Sequence, residues 1–126
     1  MTPPGRALRL RVGDAGEAAA VGLLEEAGLR ILARDWRCAL GQLDIVAADG
    51  GCLVAVEVKA RRGVGYGLPQ EAVDSRKQRK LRQLVEAYRA TGPWAGRPCR
   101  IDVVALIIDA DLRVRRAEHI VDAVSG

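Results

Sequence analysis

At 126 residues and 13.5 kDa the chain is one domain's worth. Apolar residues make up 49%, too many for a disordered chain, and no run nears the ~18 apolar residues that would span a membrane. The net charge is +4, a single histidine (His119) speaks against most histidine-dependent chemistry, and three cysteines without a CxxC pair suit a reducing cytoplasm better than a zinc ribbon or disulfide scaffold.

Residues 1–12 begin Met-Thr-Pro-Pro-Gly and turn basic, which reads as a flexible basic arm with no secretory signal; residues 13–126 read as a single domain. Asp14 is expected to start a helix that runs to Ala27 and stops at Gly28. Residues 30–38, 41–48 and 53–60 read as strands, the last two joined by the hairpin turn Asp49-Gly50-Gly51-Cys52. Residues 61–70 hold three glycines and a proline, hence a flexible loop. Residues 73–90 are expected to form a second helix, with Leu81, Leu84, Val85 and Tyr88 at helical spacing. After a Gly/Pro loop, the nearly all-apolar 101–108 reads as a buried strand and 112–118 as a last edge strand. The order α-β-β-β-α-β(-β) implies an α/β fold, one mixed sheet flanked by helices.

The net charge hides a segregation. Residues 38–58 sum to −3, with Asp44, Asp49 and Glu57 and no basic residue, whereas residues 59–100 sum to +8. The basic part suits a polyanion such as nucleic acid, or is simply a solvated helix face. Arginine outnumbers lysine 17 to 3, so Lys59, Lys77 and Lys80 stand where a compact ammonium has survived a bias toward arginine.

If Gly50 and Gly51 are the turn, cross-strand partners have numbers summing to 101. Asp44 then faces Glu57 and Gln42 faces Lys59, all four on one side of the sheet. Two opposed carboxylates repel, and a divalent cation, a salt bridge to Lys59 or a shared proton would each relieve them. Glu17 lies on the inward stripe of the first helix with Val21 and Leu24. It is either a working carboxylate or half of a capping box with Asp14. Lys77 continues the apolar stripe of the second helix and either reaches the carboxylates or snorkels to solvent. Arg76, Arg79, Lys80, Arg82 and Arg89 flank it and could follow a phosphate backbone. Asp102 opens the apolar strand and reads as structural; His119 reads as a surface residue. Trp36 and Trp94 read as packing residues, with base stacking an alternative for Trp94.

Asp44 followed after a hairpin by Glu57-Val58-Lys59, on this element order, resembles the PD-(D/E)xK nuclease superfamily. The likeness is closer still to the YraN-like uncharacterised bacterial proteins, which look like archaeal Holliday-junction resolvases. It rests on Gly16-Glu17, Gly41-Gln42-Leu43-Asp44, Val56-Glu57-Val58-Lys59-Ala60-Arg61, Tyr66 to Val73 with Gln70, Lys77 and Arg100-Ile101-Asp102-Val103. It covers roughly residues 13–108. The resemblance implies a restriction-endonuclease-like core and metal-dependent hydrolysis of DNA phosphodiesters, with branched or junction DNA as a candidate substrate. It implies Mg²⁺ (or Mn²⁺) held by Asp44, Glu57 and the Val58 carbonyl, Lys59 as base or phosphate contact, and Glu17 as an added carboxylate. Gln42 and Gln70 would support the site. Arg61, Arg62, Arg76, Lys77, Arg79 and Lys80 would contact the nucleic acid. A junction's symmetry would suit a homodimer. The family usually carries Glu where this chain has Gln42, so a charge is lost with the shape kept. The rival readings are a non-catalytic nucleic-acid-binding module on the same fold and a protein-interaction domain with a solvated basic helix.

Overall fold

Seven principal elements follow one another: α1 (Pro4–Glu26), β1 (Arg30–Cys38), β2 (Gly41–Asp49), β3 (Cys52–Arg62), α2 (Ser75–Arg89), β4 (Cys99–Ile108) and β5 (Val114–Ile120). They come from a computed structural model, which describes residues 4–62 and 73–124. The strands form one five-stranded sheet in the order β1-β2-β3-β4-β5. Three pairings are antiparallel, and β3 with β4 is parallel. A parallel pair needs a crossover, and α2 supplies it. The fold is therefore mixed α/β. No helix among the described residues is long and apolar enough to cross a membrane.

α1 begins ten residues before the expected start, at Pro4, and so takes in most of the stretch assigned to a loose arm. Proline is at home in a first helical turn, and residues 6–12 (RALRLRV) contain no helix breaker. Asp14 is thus inside the helix and cannot cap it, which removes the capping-box explanation of Glu17. The other end is as expected. Gly28 has φ +92°, its N–H bonds to the Glu25 carbonyl, and the Leu29 N–H bonds to the Leu24 carbonyl. That is a Schellman closure, which needs a residue free to turn left-handed. β5 starts at Val114 because Asp109 holds the preceding turn, accepting from the Asp111 and Arg113 N–H groups.

The central strands β2, β3 and β4 are buried on both faces, and the edge strands β1 and β5 are not. Ala20 and Leu24 of α1 pack with Ile45, Ala47, Val54, Val56, Val104 and Leu106. On the other side Leu81, Leu84 and Val85 of α2 pack with Leu43, Val46, Leu53, Ala55 and Val103. Gly16 brings α1 against β3: a Cβ built there would lie 2.6 Å from the Ala60 Cβ.

The hairpin register is the expected one, Asp49 with Cys52 through Ile45 with Val56, each pair summing to 101. One irregularity breaks β2. Ile45 and Ala47 face α1 and Val46 faces α2, yet Leu43 also packs on the α2 side. Side chains should alternate, so the strand slips phase by one residue at Asp44.

Candidate functional site

The slip coincides with the end of the β2–β3 ladder. The regular pairs stop at Ile45–Val56. Beyond them the Val58 N–H donates to Asp44 Oδ2 at 2.9 Å, so a side chain takes over where a backbone carbonyl would have paired. On the other edge of β2 the register passes from Arg34–Ile45 to Trp36–Leu43. That leaves Asp35, at φ +50°, across from Asp44. The end of the β2–β3 pairing and the left-handed Asp35 thus fall at one level of the sheet.

A cleft of about 550 Å³ occupies this place, lined among others by Glu17 of α1, Asp35, Gln42, Asp44, Lys59 and Arg62. Gln42 donates its amide to Asp35 Oδ1 at 2.9 Å. Glu17 accepts from Arg34 Nε at 3.1 Å. Its carboxyl is pushed above the usual range by burial, against the pull of Arg34, and Asp35 adds to the push.

Glu57 is 4% exposed. It stands between Val56 and Val58, which face α1, so it projects toward α2. Its Oε1 lies 3.5 Å from Lys77 Nζ of α2 and 3.8 Å from Lys59 Nζ. Burial raises the Glu57 carboxyl above its ordinary value, the Asp44 charge raises it further, and the two ammoniums act against both. Asp44 is likewise raised by burial, with the Val58 N–H, Lys77 and Lys59 opposing and Asp35 adding. Asp44 and Glu57 therefore repel each other between two shared cations. The expectation that Gln42, Asp44, Glu57 and Lys59 share one sheet face needs correcting. Gln42 and Asp44 line the cleft beside Glu17 of α1, whereas Lys59, between Val58 and Ala60 of the α1-side core, leaves β3 on the same side as Glu57 and borders the cleft from there. Glu57 meets the gap from the α2 side, because the phase slip moves Asp44 off the face that regular alternation would give it.

Residues 16–106 match the model of the Uncharacterised protein family UPF0102. The chain belongs to this family. A UPF0102 protein of Moorella thermoacetica is 49% identical over 112 residues, covering 89% of this chain and 93% of the relative. One of Pelotomaculum thermopropionicum is 46% identical over 115 residues, 91% of this chain and 96% of its own. One of Rhodococcus jostii is 47% identical over 115 residues, with 90% and 96% covered. The matched UPF0102 region contains Glu17, Asp44, Glu57, Lys59 and Lys77 and stops before β5.

The donors at the gap are hard oxygens. A strand residue's N–H and C=O point to the same edge, so the Val58 carbonyl faces the gap that its N–H enters. Among the described residues no three His, Cys, Asp or Glu side chains gather as a metal cluster. The protein's share of an ion's shell would be Asp44, Glu57 and the Val58 carbonyl, with water for the rest. That set fits Mg²⁺ or Mn²⁺, which favour oxygen and keep much of their water. Two mutually repelling, partly buried carboxylates are also where a dication relieves most.

The remaining predicted residues divide. Arg76, Arg79 and Lys80 are exposed on α2, and Arg61 and Arg62 are exposed at the end of β3. Lys77 turns inward to Glu57 rather than outward. Gln70 and the glycine-rich loop over 63–72 lie outside the described residues. Asp35 was missed by sequence reasoning, although it is the one acidic residue of a strand otherwise carrying arginines. His119, expected at the surface, is half-buried and bonds through Nε2 to Asp102 at 2.8 Å. Asp102 is fully buried and also accepts from Arg100 and the Asp122 N–H.

Proposed function

We propose that this UPF0102 chain is a metal-dependent endonuclease built on a restriction-endonuclease-like, PD-(D/E)xK core, cutting DNA phosphodiesters and acting on branched or junction forms. The observation that carries this reading is the charge cluster at the β2–β3 gap. Asp44 and Glu57 repel each other there, with Lys59 3.8 Å from Glu57 and a cleft beside them. The element order and the matching family stretches support the same reading. When bound, Mg²⁺ would polarise the scissile phosphate and lower the pKa of a water. Asp44 and Glu57 would hold the ion. The Val58 N–H anchors the Asp44 carboxylate through Oδ2, so Oδ1 is the oxygen that would meet the ion. Lys59 orients the water or neutralises charge developing on the phosphate. Arg62 at the cleft, with Arg61, Arg76, Arg79 and Lys80, grips the backbone without reading bases, which makes binding salt-sensitive.

One observation favours a second reading, a non-catalytic nucleic-acid-binding module: Glu57 already has two ammoniums within 4 Å of Oε1. The two separate in an assay of wild type, Asp44→Asn and Glu57→Gln on linear and branched DNA with Mg²⁺ or Mn²⁺. Cleavage by wild type that both variants lose by at least ~10²-fold supports the enzyme. A wild type that binds these DNAs and cuts none refutes it.

A further inference from the structure

We propose that Lys77 is a resident counter-cation that blocks Glu57 to a divalent ion until a phosphate backbone takes the ammonium, so that metal binding and nucleic-acid binding are coupled through this one side chain. This rests on the metal-site reading above and adds to it the order in which the site is assembled.

The argument starts from where the two ammoniums come from. Lys59 is on the same strand as Glu57, two residues on, with its Nζ 3.8 Å from the same oxygen and its side chain 36% exposed. Lys77 comes from a different element, the first turn of α2, whose start is held by Asp74 accepting from the Lys77 N–H at 2.9 Å. The backbone is fixed there, while the side chain has four rotatable bonds. Its reach to Glu57 is 3.5 Å, the closer of the two cations, and 38% of the side chain remains exposed. Lys77 is therefore able to trade partners without moving the helix. A dication on the same carboxylate oxygen would sit against this ammonium, and like charges at that range in a partly buried place exclude each other. A phosphate backbone would draw Lys77 off: Arg76 and Lys80, exposed one residue before and three after it on α2, would hold such a backbone beside the 38% of the Lys77 side chain that solvent reaches. Arginine would serve less well, because its planar fork would hold the carboxylate two-pronged and let go less readily.

Coupling of this kind is reciprocal. Calorimetry of Mn²⁺ binding to full-length wild type and Lys77→Met, each with and without a duplex carrying non-hydrolysable linkages, reads it directly. In wild type the duplex should tighten Mn²⁺ binding by about tenfold, within the usual range of such couplings. In Lys77→Met, Mn²⁺ should bind about tenfold tighter than to wild type without duplex, and the duplex should add little. Lys77→Arg should keep the weak duplex-free binding. Equal Mn²⁺ affinities for wild type and Lys77→Met, or a duplex effect that survives in Lys77→Met, overturns the inference while leaving the metal site standing. Absence of Mn²⁺ binding to wild type under both conditions overturns the metal-site reading and the inference with it.

Discussion

The Asp44 carboxylate accepts the Val58 N–H at 2.9 Å at the point where β2 and β3 part. One side chain thus closes the sheet and opens the cleft. The two roles separate by substitution. Asp44→Asn keeps an oxygen for the Val58 N–H and should unfold within about 1 kcal/mol of wild type. Asp44→Ala strands that N–H in a half-buried place and should cost about 1–3 kcal/mol. Both should lose Mn²⁺ binding. Urea unfolding with calorimetry checks this; equal stability of the two variants would mean that water replaces the carboxylate.

Glu57 makes a prediction about pH. Its carboxyl is raised above 4.5, by burial first and the Asp44 charge second. A carboxyl that holds its proton more tightly when folded stabilises the fold below its unfolded value, and that contribution is lost as pH rises through the folded value. Glu57→Gln removes the buried charge, so it should melt higher than wild type near neutral pH. The difference should shrink as pH falls toward 4.5. Scanning calorimetry without metal reads the sign. A variant that melts lower near neutral pH would show that the Lys59 and Lys77 pairs outweigh burial.

The hairpin was legible in the sequence because Gly50 and Gly51 mark a turn and the counting from it leaves one register. The slip at Asp44 was not. Leu43, Ile45 and Ala47 look like ordinary alternation, but β2 is covered on both faces, so apolar character says nothing about which core each residue joins. The helix start was misread because Asp14 is a good cap in sequence, and nothing local says that a helix is already under way. Glu17 and Lys77 were legible as polar residues on apolar stripes. Asp35 was not, because its place at the cleft depends on a left-handed residue inside a strand.

His119 and Asp102 are 17 residues apart and meet only because β4 and β5 pair. With Arg100, which also reaches Asp49 at 2.8 Å, they tie the β2–β3 turn, β4 and the end of β5 together. The Arg100 guanidinium is held protonated by Asp102 first and Asp49 next, against burial. Asp102→Ala leaves the Asp122 N–H and the His119 ring without this partner and Arg100 with one carboxylate in place of two. It should cost about 3–5 kcal/mol, the range for breaking a buried pair. His119→Ala should cost less, about 1–2 kcal/mol, because Asp102 keeps Arg100 and the Asp122 N–H. Denaturant titration of the two variants ranks them, and the reverse order would make the histidine the anchor.

Gly16 sets the distance between α1 and β3, and through it where Glu17 stands over the cleft. A Cβ at residue 16 would lie 2.6 Å from the Ala60 Cβ, closer than two carbons approach without something moving. Gly16→Ala gains about 1 kcal/mol of helix propensity and should still lose stability, because overpacking costs about 1–3 kcal/mol. Ala60→Gly removes the opposing carbon. The double variant should therefore recover more than the two single effects predict, with a coupling of about 1 kcal/mol or more. A double-mutant cycle by urea unfolding measures it. Additive effects would mean that α1 shifts freely on β3, and Glu17 could not then be held in register with Asp44.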